Sequence, residues 1–158
     1  MSIQREPIYA ALWTLVSADP GNLFITKQRR LLPWANVPAK NQPAMFLSET
    51  GGYAGHLGGT RIDYQTNLPV IWTLYADIYI YQYVSNPMIA PGQELNPLID
   101  AVEAALGPNE YVPGMGLVQN LGLPGMVQHA RLQGKLQTDE GVLANQALAI
   151  MPVEIFCL

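Results

Sequence analysis

Trp72-Thr73-Leu74-Tyr75-Ala76-Asp77-Ile78-Tyr79-Ile80-Tyr81-Gln82-Tyr83-Val84 is the strongest strand signal in the chain. Its β-branched and aromatic content predicts a strand over residues 70–84. One side of the pleat carries Trp72, Leu74, Ala76, Ile78, Ile80 and Val84, and the other Thr73, Tyr75, Asp77, Tyr79, Tyr81 and Tyr83. A strand that shows one face to water has polar groups there, yet both faces here are apolar or aromatic. Both therefore need cover. The aliphatic side matches the Leu and Ile stripes of the helices described next. The tyrosine side is left for a neighbouring subunit or for the chain's own long segments at 51–59 and 107–125.

The first helix is expected over 5–17, with Pro7 in its first turn and Ile8, Leu12 and Leu15 at helical spacing. Arg5, an apolar run and Val16-Ser17-Ala18 resemble a short signal peptide, but Glu6 and Pro7 ahead of the stripe favour a native helix and a cytoplasmic site of synthesis. Asp19-Pro20-Gly21-Asn22 reads as a turn, 23–27 and 44–48 as short strands, and 33–43, with Pro33, Pro38 and Pro43, as an irregular extended connection. The segment 51–59 has five glycines in nine positions and reads as a mobile loop or hairpin tip. A second helix is expected over 95–106, capped by Asn96 with Pro97 at its first position; Leu95, Leu98, Ile99, Val102 and Leu106 form its stripe and Gly107-Pro108 stops it. Residues 107–125 read as a long surface loop, and 126–137 and 146–156 as the last strands. Pro152, unable to donate to a ladder, belongs at an edge or a bulge. These elements make one α+β domain over 1–158, a mainly antiparallel β-sheet with two α-helices packed on one face.

Apolar residues are 49% of the chain and charged ones 13%, against about 25% charged in an ordinary soluble domain. An amide-rich surface and burial in an assembly both reconcile that with solubility. The net charge of -4 argues against a general nucleic-acid binder, though not against a conduit past which DNA slides. Cys157 stands alone and forms no internal disulfide. No run reaches the roughly 20 apolar residues of a membrane helix.

Catalytic chemistry has no foothold in the pattern. His56 and His129 lack metal-ligand spacing and read as a loop residue and a polar-face residue, so no metal or other cofactor is expected. Cys157 reads as a buried inert thiol. No nucleophile elbow or phosphate loop is present. Asp139-Glu140 is the adjacent acid pair, read as water-facing or as a contact to another subunit. Lys27-Gln28-Arg29-Arg30 is the basic cluster, read as a solvated strand end or as a lumen or partner contact through Lys27, Arg29 and Arg30.

Asn96-Pro97-Leu98-Ile99-Asp100-Ala101-Val102 after an aromatic strand, then 122–141 (GLPGMVQHARLQGKLQTDEG), then 147–155 (ALAIMPVEI), resemble the tail terminator (tail completion) proteins of long-tailed phages. Residues 29–47 and the strand itself are similar too. The resemblance implies a subunit without enzymatic activity that closes into a hexameric ring. That ring caps the tail tube protein and joins it to the head–tail connector protein, with DNA passing through the hole, in a virion assembled in the host cytoplasm. A ring needs two different, mutually complementary patches on each subunit; Tyr75, Asp77, Tyr79, Tyr81 and Tyr83 with Asp139 and Glu140 are the candidates. A head–tail stopper of the phage neck and a small ligand-binding domain with a tyrosine-lined pocket remain the alternatives.

Overall fold

The computed structural model describes residues 4–49, 59–61, 71–139 and 145–158, with the backbone alone at 59–61, 71 and 72. In chain order its elements are α1 (Arg5–Ser17), β1 (Thr26–Gln28), β2 (Ala44–Ser48), β3 (Gly59–Arg61), β4 (Ile71–Tyr83), α2 (Pro91–Ala105), β5 (Glu110–Val112), β6 (Gly116–Val118), β7 (Val127–Leu132), β8 (Gln137–Asp139) and β9 (Gln146–Cys157). The fold is α+β, as the alternation and the two helical stripes require.

The opening strand is the spine of the main sheet. β4 pairs antiparallel with β9 over twelve residues, from Trp72↔Cys157 to Tyr83↔Gln146. On the other flank of β4, β2 pairs with its C-terminal half and β3 with its start, both antiparallel, while β1 adds to β2 in parallel. β7 and β8 pair antiparallel with successive parts of β9. β5 and β6 form a separate two-stranded hairpin.

The even-numbered aliphatic side chains of β4 join the main core. Leu74, Ala76, Ile78 and Ile80 are fully buried with Met45 and Leu47 of β2 and Met151, Val153 and Ile155 of β9. Ile8, Tyr9, Leu12 and Val16 of α1 and Leu95, Leu98, Ile99 and Val102 of α2 complete this core. Both helices thus lie on one face, each stripe covering aliphatic strand residues. Burying one such side chain is worth about 1.5–3 kcal/mol. None of the described helices is long and apolar enough to cross a membrane.

Five expectations differ from what is observed. α2 begins at Pro91 rather than near Asn96, so Pro91 takes the first turn and Pro97 sits inside the helix. Gln93 and Pro97 are both exposed, so the interior proline, which removes one N–H from the helix ladder, falls on the solvent side of α2. The strand expected at 23–27 starts only at Thr26, because the Asp19 carboxylate accepts hydrogen bonds from the Leu23 (3.0 Å) and Phe24 (2.9 Å) amides and holds them in a turn. The expected 126–137 strand divides into β7 and β8. Pro152 lies inside a central strand, and its carbonyl accepts from Gln133 N (2.9 Å) on that divided flank. A residue's N and carbonyl point the same way in a strand, so the missing N–H faces the break between β7 and β8. Residues 33–43 fold as two single 3-10 turns, Trp34–Asn36 and Ala39–Asn41.

The segment 107–125 is the largest departure from the expected surface loop. It contains the β5–β6 hairpin, and Val118 at its end and Gln119, Asn120 and Leu121 behind it are buried. Polar side chains that satisfy one another make that burial affordable. Asn109 Nδ2 donates to Asn120 Oδ1 (2.8 Å) and Asn120 N to Asn109 Oδ1 (2.9 Å), Leu121 N donates to Gln119 Oε1 (3.0 Å), and Asn120 Nδ2 bonds Glu110. Gln119 Nε2 donates to Gly107 O, closing the base of the hairpin. Of the glycine-rich segment expected at 51–59, residues 51–58 with His56 lie outside the described residues, and Gly59 begins β3.

Candidate interaction surface

The outer face of the sheet, opposite the helices, carries the tyrosines. Strand register places Phe156, Glu154, Pro152, Ile150, Leu148 and Gln146 of β9 beside Thr73, Tyr75, Asp77, Tyr79, Tyr81 and Tyr83. Ala44, Phe46 and Ser48 of β2 lie on the other side of the same face. This surface divides into two unlike halves.

One half is roofed by residues 31–37, and not by a neighbouring subunit or, among the described residues, by the 51–59 or 107–125 segments. Leu31, Leu32, Trp34 and Val37 pack on Ala44, Phe46, Tyr79, Tyr81 and Leu148 as a second small core. Tyr81 is buried there, its ring centroid 4.8 Å from Trp34 and 5.2 Å from Phe46, and its hydroxyl donates to the Leu32 carbonyl at 2.7 Å. Burial pushes its phenol up from the ordinary value. Tyr81 is therefore taken up by its own chain, under neither of the covers expected. Leucines and a tryptophan between prolines have no period to read, so the only available signal was their apolarity.

Among the described residues, no helix covers the other half, since α1 and α2 both pack on the opposite face. Arg131 of β7 reaches Glu154 through Nη2 (3.1 Å) and Nε (3.3 Å) and lies 5.1 Å from the Phe156 ring centre. His129 Nδ1 accepts a hydrogen bond from Gln119 N (3.1 Å), so that nitrogen is unprotonated. Burial, helped by Arg131, pulls the imidazole below its usual range, in keeping with that role. Tyr75 and Tyr79 are half-buried and Tyr83 is exposed. Asp139, on β8 opposite Leu148, is exposed; Glu140 lies outside the described residues.

Asp77 sits in the middle of this face and is 5% exposed. Among the described residues nothing donates a hydrogen bond to its carboxylate or pairs with it. Desolvation raises its pKa, since a buried charge without a partner is costly. A raised folded-state pKa means that the folded protein holds the proton more tightly than the unfolded chain. Asp77 therefore costs stability once it ionises, and that cost disappears as pH falls through the folded pKa toward the unfolded value. Asp77→Asn is expected to stabilise the monomer by about 1 kcal/mol at pH 7, with the gain vanishing at acid pH. Urea denaturation of both proteins at several pH values checks this; a gain that is the same at every pH would show that the charge is not the cause.

The basic cluster lies at the β1 edge of the sheet. Arg29 is clamped between Glu6 of α1 (Nη1–Oε1 2.6 Å, Nη2–Oε2 2.9 Å) and Glu49 (Nε–Oε1 2.6 Å). The hydrogen bond from Arg29 lowers the Glu6 pKa, and the two carboxylates raise that of the guanidinium. Lys27 stands 3.8 Å from Asp19. Arg30 is exposed, with no ion pair among the described residues. Arg29, Arg30, Leu31, Leu47, Ser48 and Glu49 line an open recess of about 500 Å³. Among the described residues no cluster of three or more His, Cys, Asp or Glu is placed to hold a metal. Cys157 is fully buried, and burial pushes its thiol up to about 11.

No family model matches the chain, and no curated protein does. Among solved structures it aligns with a chain described as "Virion of native gene transfer agent (GTA) particle" at a TM-score of 0.53 and 12% identity. The alignment covers 95% of this chain and 93% of that one. The two share a fold. At that identity the likeness speaks for backbone architecture and not for individual side chains, and its near-complete coverage of both chains means that nearly the whole path is common.

Proposed function

We propose that this chain is a structural virion protein: a tail terminator whose copies close into a ring, six in number, that caps the tail tube and joins it to the head-side connector while DNA passes through the lumen. The observation that carries the reading is the fold shared end to end with a chain of a phage-like virion particle. The sequence resemblance to tail terminators supplies the finer placement.

Physical features support a life in an assembly. Only 13% of residues are charged, and Ile25, Met88, Tyr111 and Leu117 are each more than 60% exposed. Large side chains held in water in this way are the usual material of protein contacts. In this reading Tyr75, Asp77, Tyr79, Tyr83 and Asp139, spread along the outer face, lie against neighbouring subunits, and Glu140 is the further candidate from the sequence. Tyr81 shapes that surface from beneath, and Lys27, Arg29 and Arg30 provide the lumen or partner contact.

Assembling particles without this chain tests the role. A missing terminator leaves tube growth unlimited, so tails of irregular length and unjoined heads are expected. Tails of normal length beside heads that lose their DNA would instead assign the chain to the neck as a stopper. Normal, joined and filled particles would overturn both.

A further inference from the structure

The β5–β6 hairpin stands off the β7 edge of the sheet. The chain connects to β7 there through Ala130 N donating to Gln119 O (2.7 Å) and Gln119 N donating to His129 Nδ1. Its base is fixed by the Asn109–Asn120 pair and the Gln119 bonds described above, yet its outer part is apolar and wet. Tyr111 and Leu117, a cross-strand pair, are each 67% exposed, and Met115 at the turn is 46% exposed. A rigid base under an apolar arm is costly in a lone monomer and well suited to docking, because little order has to be gained on contact.

The opposite edge of the same sheet has the matching character. β1 is the terminal strand of the main sheet. Just before it Leu23 is 38% and Ile25 63% exposed. The charges of the two edges are also complementary. Glu110 of the arm and Arg30 beyond β1 are both exposed, and neither has an ion-pair partner among the described residues. The arm and the β1 edge lie at opposite ends of the strand order, the placement that a head-to-tail contact requires and a two-fold contact does not.

We infer that the β5–β6 arm of each copy docks on the β1 edge of a second copy of this chain, Tyr111, Met115 and Leu117 against Leu23 and Ile25, with Glu110 meeting Arg30. The inference rests on the ring reading and adds to the outer-face contact a pair of complementary patches at the two edges of the sheet. Repetition of one such contact links every copy to two neighbours. The arm then acts as the subunit's hook, and Arg30 of the basic cluster serves the partner rather than the lumen.

Cysteine cross-linking of the full chain, both purified and in assembled particles, tests the contact. Ile25→Cys with Leu117→Cys, oxidised by copper phenanthroline, is expected to give a covalent ladder beyond the dimer on a non-reducing gel. Each single variant is expected to give none. The native Cys157 is too deeply buried to join it. Dimers alone would overturn the head-to-tail geometry, and multimers by mass without a ladder would overturn the choice of patches while leaving the ring intact. Monomers throughout, with no ring in the particle, would overturn the functional reading as well. A second measurement uses charge. Arg30→Glu is expected to weaken self-association roughly two- to five-fold, and adding Glu110→Arg to restore it; equal weakening by the double variant would overturn the pairing.

Discussion

Ile78→Ala is expected to destabilise the fold by about 3–4 kcal/mol. Ile78 is fully buried at the middle of β4, directly between Leu47 of β2 and Met151 of β9. Its face of the sheet is the one on which α1 and α2 close, so the removed methyl groups leave a void between two layers. Strand backbones tied by ladder hydrogen bonds on both sides are poorly placed to collapse into it, which puts the cost in the upper part of the range for this substitution. For a chain of this length the loss corresponds to a fall in Tm of roughly 10 °C, a large share of the stability a domain has. Thermal and urea unfolding of the two proteins measure it directly. A loss below about 1 kcal/mol would mean that the helices do not pack on this strand as described.

Tyr81→Ala is expected to cost about 3–4 kcal/mol for a different reason. Tyr81 holds the 31–37 segment onto the sheet through its ring contacts with Trp34 and Phe46 and its bond to the Leu32 carbonyl. Without it Trp34, Leu31 and Leu32 lose their floor, and the segment is expected to come away before the sheet melts. Tyr81→Phe keeps the ring and removes only the hydroxyl, so it should cost about 1 kcal/mol. Tyr83→Ala, two residues on and on the same face but exposed, should cost under about 1 kcal/mol. Hydrogen exchange across 31–42 reports the release. Protection unchanged in Tyr81→Ala would show that Tyr81 does not anchor the roof.

That contrast between two neighbouring tyrosines marks how far the sequence could be read. The alternation in 72–84 placed every described side chain of β4 on its correct face, because the two-residue period is dictated by strand geometry. α1 occurs where its stripe and Pro7 put it, since one proline there satisfied the start. For α2 two prolines, Pro91 and Pro97, each fit a first turn, and the hydrophobic stripe alone does not choose between them. The roof over Tyr81 and the buried Gln119–Asn120 stretch were not legible for a shared reason. Their cover comes from contacts between residues far apart in sequence, and neither proline-broken apolar residues nor paired amides have a period. Pro152 shows the same limit: its fitness for a central strand depends on a break in the neighbouring strand. Of the candidate interface residues, pattern alone separated the tyrosine face from the core, but could not separate Tyr81, used internally, from Tyr75 and Tyr79, which border the unroofed half.

The same distinction bears on assembly. Asp77, nearly buried and lacking a donor among the described residues, and the apolar arm at Tyr111 and Leu117 are both unfavourable in a lone subunit. A partner that supplies a hydrogen bond to the first and apolar cover to the second would remove both costs. A ring built from identical copies supplies cover to every subunit without leaving an open end.

Three-dimensional imaging of the intact particle, with this chain labelled, is the most direct measurement of its place. The expected result is a closed ring of identical copies between the end of the tail tube and the head-side connector, with the β5–β6 arm of each copy lying on the β1 edge of the next. The chain found dispersed along the tube or in the capsid shell, or present as isolated copies without ring symmetry, would contradict the proposed function.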